Sequence, residues 1–330
     1  IDDFVDTLIR EMELYKDSPL TFDSLYLGGG TPSVLKSESI DTLISSARSY
    51  FHIAPDVEIT IEVNPGTVDF NHLHAYRKIG INRINLGVQS LSNAVLEFLG
   101  RIHTKEEAVA AISAARKAGF KNLGLDLIYG LPGQSRDNWQ RDLEHAVSFS
   151  PEHLSCYTLT YEDGTPLGKM KDDGVVEPID DGTVADLFKI MQSVLGKHGY
   201  EQYEIANFAK ITAANDAPHR SRHNQKYWTS APYIGLGPSA HSFVDSERRW
   251  NVADIDTYIS QLKKNQLPIE ERETLTKEQR LTETLYLGLR TTEGIDIPGL
   301  EQSFGLDFKC RYGDALDDLV QGEMIELTEM

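Results

Sequence analysis

The sequence predicts an α/β fold: a partial (β/α)6 TIM-like barrel of parallel strands, followed by a small, mainly helical C-terminal domain. Three observations carry this expectation. Strand-like and helical runs alternate through the first two-thirds of the 330 residues. Successive strands lie roughly 25 to 50 residues apart, the spacing of crossover connections between parallel neighbours. About six such units are visible, fewer than the eight of a closed barrel, and an open doubly wound sheet fits the same rhythm. After residue 206 the rhythm breaks. The chain therefore divides into 1–206, the barrel; 207–268, an irregular region with a linker helix; and 269–330, the helical domain.

Each element has its own signal. Residues 24–27 (SLYL) form a short strand that ends in three glycines, and 57–63 (VEITIEV) is β-branched and nearly alternating. Strands follow at 83–88 (RINLGV), 122–129 (NLGLDLIY), 153–159 (HLSCYTL) and 200–205 (YEQYEI). Between them, Ile40, Leu43, Ile44 and Ala47 recur with helical period. Thr104 and Glu107 make a capping box ahead of an alanine-rich run, and Gly119 stands where that helix should stop. Val184, Leu187, Phe188, Met191 and Leu195 share one helical face. Beyond Asp254 the pattern is helical again, at 281–289, 297–304 and 312–320.

Polar residues sit where such a barrel keeps its chemistry, at the carboxyl ends of the strands. The first strand ends in GGGTP (28–32), the second in Glu62 and Asn64, the third in Gln89 and Ser90, and the fourth contains Asp126. Glu62, Gln89 and Asp126 interrupt apolar runs and need a partner or a ligand to be buried there. Convergence of three such groups on one face favours a site over isolated backbone hydrogen bonds. The triple glycine exposes consecutive backbone groups to a ligand, but no Gly-Lys-Ser/Thr follows, so it is not a nucleotide P-loop. GLGPSA at 235–240 matches a dinucleotide fingerprint in the wrong context, after an irregular stretch and with Pro238 inside it.

The segment 219–228 (HRSRHNQKYW) concentrates histidine, cations and aromatics, and His241 follows. His219 and His223 have the spacing of a helical zinc pair, but Arg220 and Arg222 would repel the ion. A neutral imidazole can also ligate haem iron, with the cations meeting propionates. Spacing alone favours a hydrogen-bonded loop histidine beside packed Tyr227 and Trp228.

Composition narrows the field. Lys plus Arg is 32 and Asp plus Glu is 51, a net charge of −19, which argues against nucleic acid or an anionic membrane as the main partner. No apolar run approaches about 18 residues, so no transmembrane segment is expected. The two cysteines, Cys156 and Cys310, cannot build a disulfide framework, and a reducing, cytoplasmic setting is expected. The sequence opens at Ile1 with neither an initiator Met nor a signal peptide, so a processed or missing stretch is expected before it, and further sequence after Met330.

GGGTPS (28–33), EVNPG (62–66), GVQS (87–90), LGRIH (99–103) and DLIYGLPGQ (126–134) occur in an order that resembles one radical S-adenosylmethionine family. That family comprises the oxygen-independent coproporphyrinogen III oxidase and the haem chaperone HemW, and the resemblance covers essentially the whole chain. HNQKYW (223–228) and GLGPSAHS (235–242) are similar to signatures of the chaperone branch. The resemblance implies haem binding, with His223 the candidate iron ligand, and delivery to respiratory haem apoproteins at the membrane surface. It implies an S-adenosylmethionine site at Gly29, Gly30, Thr31, Glu62, Gln89, Arg101 and Asp126, with Tyr157 beside them. Arg101 can pair with a carboxylate, and Glu62 and Asp126 can accept from ammonium or hydroxyl groups.

The family also holds a 4Fe-4S cluster on a Cys-x-x-x-Cys-x-x-Cys motif, which this sequence lacks; the expected place is ahead of Ile1. The competing expectations are a radical oxidase, removing carbon dioxide from coproporphyrinogen propionates, and an α/β barrel enzyme of another class.

Overall fold

The computed structural model describes residues 2–212 and 219–328. The chain runs α1 (Asp2–Leu14), β1 (Thr21–Leu27), α2 (Ser37–Tyr50), β2 (His52–Val63), α3 (Phe70–Ile79), β3 (Arg83–Gln89), α4 (Asn93–Phe98) and α5 (Lys105–Lys117). It continues with β4 (Leu123–Tyr129), α6 (Arg136–Ser148), β5 (His153–Thr158), α7 (Pro166–Asp172), α8 (Asp181–Lys197), β6 (Tyr200–Gln202) and β7 (Asn207–Lys210). The remainder is α9 (Arg222–Trp228), β8 (His241–Val244), β9 (Glu247–Asn251), α10 (Ile255–Lys263), β10 (Ile269–Thr274), α11 (Lys277–Gly288), α12 (Ile297–Phe304) and α13 (Phe308–Gln321).

Strands β1 to β5 are parallel and adjacent in chain order, which is the partial barrel that the sequence predicts. The last unit differs in detail. β7 pairs antiparallel with β5 on one side and β6 on the other, so β6 keeps the common direction but is separated from β5. Four residues of β7 carry too little alternation to be visible in the sequence.

The sheet has two unlike faces. Residues paired across parallel strands share a face. One face holds Leu25, Ile59, Ile61, Ile84, Leu86, Leu125, Leu127, Leu154 and Cys156, packed with α2, α3, α5, α6 and α8 in the main core. The other face holds Tyr26, Thr60 and Arg83 in one register, Asn85, Gly124 and His153 in the next, then Asp126 and Ser155. Burial of the helix-facing side drives folding, at roughly 1.5–3 kcal/mol per large apolar side chain. The inner side is left polar.

The helices follow their signals. Ile40, Leu43, Ile44 and Ala47 of α2 are all buried, and the Thr104–Glu107 capping box is formed in both directions. Gly119 has φ +94°, a left-handed turn just beyond the end of α5. The span that reads as irregular contains β7, α9 and the β8–β9 hairpin, which β10 extends into a second, antiparallel sheet. β10 (IEERET) opens the stretch from 269 as a strand before the helices begin; its charged side chains hide its period. Helices α11 to α13 then close around Leu281, Leu300 and Phe308.

GLGPSA is a structural turn. Gly237 N donates to Glu11 of α1 at 2.9 Å, and a Cβ on Gly235 would meet the His241 carbonyl oxygen at 2.1 Å. Glu11 is fully buried and also accepts from Asn251 Nδ2 and the Tyr258 hydroxyl. Helix α1 is thereby tied to β9 and α10.

Candidate functional site

The carboxyl ends of β1 to β5 form a rim. After β1 the chain turns at Gly29, φ +79°, and both Gly29 and Gly30 are open, with nothing near the place a Cβ would take. Gly28 is crowded instead. A Cβ there would lie 2.5 Å from the Tyr26 ring and 3.0 Å from Glu62, so glycine at this position lets those two side chains meet. The Tyr26 hydroxyl donates to Glu62 Oε1 at 2.6 Å. Thr31 is exposed at the start of the short 3-10 turn Pro32–Val34 and its side chain makes no capping bond.

β3 ends in a kink. Gln89 takes φ +65°, rare for a residue with a side chain, where the register with β4 slips. The kink turns its amide back across Gly87: a Cβ on Gly87 would meet Gln89 Nε2 at 3.0 Å and Arg101 Nη2 at 3.4 Å. Gln89 and Arg101 thus cross the gap that Gly87 leaves. Arg101 Nε is buried without a partner, and burial lowers its pKa against the pull of Asp126.

Asp126 lies deeper. Its Oδ1 is sealed from solvent and has no hydrogen-bond partner. Burial raises the carboxyl to about 7, with the Glu62 charge adding to the rise and Ser155, Arg83 and Arg101 opposing it. Tyr157, the next inward residue of β5, is 44% exposed at the rim, its phenol raised by burial and by Asp126. Gly29, Gly30, Thr31, Glu62, Gln89, Arg101, Asp126 and Tyr157 therefore all lie on the rim or just inside it.

Helix α9 packs against β1, with Ser221 capping its start. His223 stacks on Tyr26, ring centroids 4.5 Å apart and planes 19° apart. Its Nδ1 is 3.3 Å from Ser24 Oγ and its Nε2 is 3.1 Å from the Tyr227 hydroxyl. Burial, reinforced by the Lys226 charge and opposed by Asp23, lowers the imidazole to about 4, so it is neutral at physiological pH. The surrounding cations are not free to meet an anion. Arg222 Nη1 donates to Asp56 Oδ2 at 3.1 Å and Lys226 Nζ to Asp23 Oδ2 at 2.7 Å, while Arg220 is held by Glu201 and Glu293. His241 sits on β8 and stacks on Trp250, so the histidines grouped in the sequence are divided between two elements.

Two residues that border the candidate site escape a reading of the sequence. Tyr26 reads as an ordinary strand former, yet it touches both Glu62 and His223. Arg83 reads as the edge of a strand, yet it is fully buried, 3.7 Å from Glu58, with Nε and Nη2 unpartnered inside the polar face. Strict period-two assignment of the inner face would have found both. Among the described residues, no group of three or more His, Cys, Asp or Glu is placed to hold a metal ion. Cys156 is in the core and Cys310 on α13, so neither belongs to the rim.

Comparisons with known proteins agree with this fold. A family model described as the radical SAM superfamily matches residues 3–146, and one described as the HemN C-terminal domain matches 275–329. The heme chaperone HemW of Bacillus subtilis is 30% identical over 100% of this chain and 86% of its own length. That of Lactococcus lactis is 30% identical over 98% of this chain and 83% of its own. That of Escherichia coli is 37% identical over 74% and 62%. The solved structure of the E. coli coproporphyrinogen III oxidase HemN superposes with a TM-score of 0.82 at 22% identity, covering 99% of this chain and 78% of that one.

Proposed function

The chain belongs to the HemW family of haem chaperones on a radical S-adenosylmethionine scaffold, and we propose that it binds haem through His223 and passes it to haem apoproteins. One observation carries the choice of residue. His223 is a neutral imidazole, held against the sheet on its Nδ1 side, with Nε2 facing the partly exposed Tyr227. A neutral ring held in a fixed plane is what iron ligation needs, and the Tyr26 stack and the Ser24 contact hold that plane.

The acceptors in this reading are respiratory haem apoproteins at the cytoplasmic membrane surface, met by a cytoplasmic carrier. No helix among the described residues is long and apolar enough to cross a membrane.

The rim fits S-adenosylmethionine. The buried, unpartnered Arg101 Nε and Asp126 Oδ1 supply a donor for a carboxylate and an acceptor for an ammonium or hydroxyl group. The open backbone at Gly29 and Gly30 admits a ligand closely, Thr31 and Gln89 offer polar side chains, and Tyr157 stands at the mouth. With a 4Fe-4S cluster, S-adenosylmethionine supplies radical chemistry when bound. The described residues do not fit the cluster, because no three His, Cys, Asp or Glu side chains among them are grouped to hold it. The alternative, radical decarboxylation of coproporphyrinogen, shares the fold but gains no residue of its own here.

Titration with haem tests the proposal. Wild type should give a Soret band of a histidine-ligated haem, and His223→Ala should lose it with a marked fall in affinity. An unchanged spectrum and affinity in the variant would remove His223 as ligand. For the rim, S-adenosylmethionine should raise the thermal midpoint of the protein, and Arg101→Ala should abolish the rise.

A further inference from the structure

Helix α9 is clamped to β1, to β2 and to the segment after α11. Arg222 and Lys226 are paired with Asp56 and Asp23. The His223 backbone N–H donates to Glu58 Oε1 at 3.1 Å, and the Arg290 guanidinium lies 4.9 Å over the Trp228 ring. The remaining aromatic of the helix, Tyr227, is 38% exposed and touches Tyr233 only edge-on, at 4.9 Å and 71°. Its hydroxyl, one helical turn from His223, occupies Nε2. Nδ1 faces Ser24 Oγ at 3.3 Å, between α9 and β1, so Nε2 is the ring nitrogen on the side of the partly exposed Tyr227.

We propose that Tyr227 is a gate on the iron-binding nitrogen of His223: its hydroxyl holds Nε2 in the empty protein and must swing away before haem is ligated. This rests on the reading of His223 as ligand and adds what regulates that site. The exchange balances without proton loss. The contact between the Tyr227 hydroxyl and Nε2 breaks and the hydroxyl turns to water; in the ligated form the one ring proton lies on Nδ1, facing Ser24, and the Nε2 lone pair forms the bond to iron. A rotation of one half-exposed side chain suffices, so α9 itself stays in place. The gate also works in reverse, because the returning hydroxyl competes for Nε2 and assists release to an acceptor.

Stopped-flow haem binding to the full chain tests this with Tyr227→Phe, which keeps the ring and removes the hydroxyl. The expected result is tighter binding by about two- to tenfold, the size of one neutral hydrogen bond, with faster association and an unchanged Soret position. Ser24→Ala, which frees Nδ1 instead, should bring no acceleration. Tyr227→Phe in a His223→Ala background should bring none either. The gate is overturned if Tyr227→Phe binds haem no tighter or faster than wild type while His223→Ala still loses binding, or if Ser24→Ala accelerates association equally. Wild-type binding by His223→Ala would instead remove the reading on which the gate rests.

Discussion

The Tyr26 ring lies parallel to the His223 imidazole, 4.5 Å away, while the same side chain donates its hydroxyl to Glu62 at 2.6 Å. One residue thus supports the candidate haem ligand on its face and a carboxylate of the rim on its tip. The two functions separate by substitution. Tyr26→Phe keeps the stack, so haem affinity should stay within about twofold, whereas S-adenosylmethionine protection should change because Glu62 loses its donor. Tyr26→Ala removes the support, and haem affinity should fall severalfold. Equal haem binding by all three proteins would show that the stack is incidental.

Haem ligation should persist into acid. A histidine with an ordinary pKa of about 6.5 loses its lone pair to a proton near that pH. His223, lowered to about 4, stays available well below it. The sign for stability follows: the unfolded chain takes up this proton first, so the contribution is complete above about pH 6.5 and is lost as pH falls toward 4. Haem affinity measured from pH 8 to 5 should be nearly flat in wild type. In Lys226→Ala, which removes a cation that helps to hold the ring neutral, it should begin to fall at higher pH.

Asp126 behaves in the opposite sense. Its carboxyl is raised to about 7, so the folded state holds a proton that the unfolded state has released, and this contribution is lost as pH rises from about 4 through 7. Asp126→Asn removes that penalty. Urea unfolding should find the variant more stable than wild type at pH 8, by about 1–2 kcal/mol after solvent screening, and little changed at pH 4.5. The same variant should lose S-adenosylmethionine protection. A variant less stable than wild type at pH 8 would contradict the burial argument.

Glu11 should be among the most costly polar residues to truncate. Glu11→Ala strands the Gly237 N–H, Asn251 and Tyr258 together in a buried pocket. A loss of about 3 kcal/mol or more is expected in urea unfolding, compared with less than 1 kcal/mol for an exposed carboxylate such as Glu270.

The barrel was legible in the sequence because its strands are apolar on the helix side and its helices repeat cleanly, as 57–63 and α2 show. β7 and β10 were not, being short in one case and charged from Glu270 to Glu273 in the other. The rim residues were legible for a related reason: Glu62 and Asp126 are costly to bury without purpose, so they stand out against apolar neighbours. Tyr26 and Tyr227 carry no such cost, so strand period places Tyr26 on the inner face and the 219–228 segment contains Tyr227, but neither pattern shows what the two rings touch. Tyrosine suits a strand or a helix surface equally well, and only the three-dimensional placement of α9 against β1 gives these two rings a common neighbour in His223.

The unlike faces of the main sheet have a consequence for how this molecule can change. Fold and chemistry are written on alternate residues of the same strands, so a substitution at Ile61 tests the fold and one at Glu62 tests the site. Such interleaving lets the inner surface be rewritten for another ligand while the helix-facing side keeps the chain folded. A library that varies Thr60, Asn85, Ser155 and Tyr157 and spares their apolar neighbours would explore new ligands among proteins that still fold.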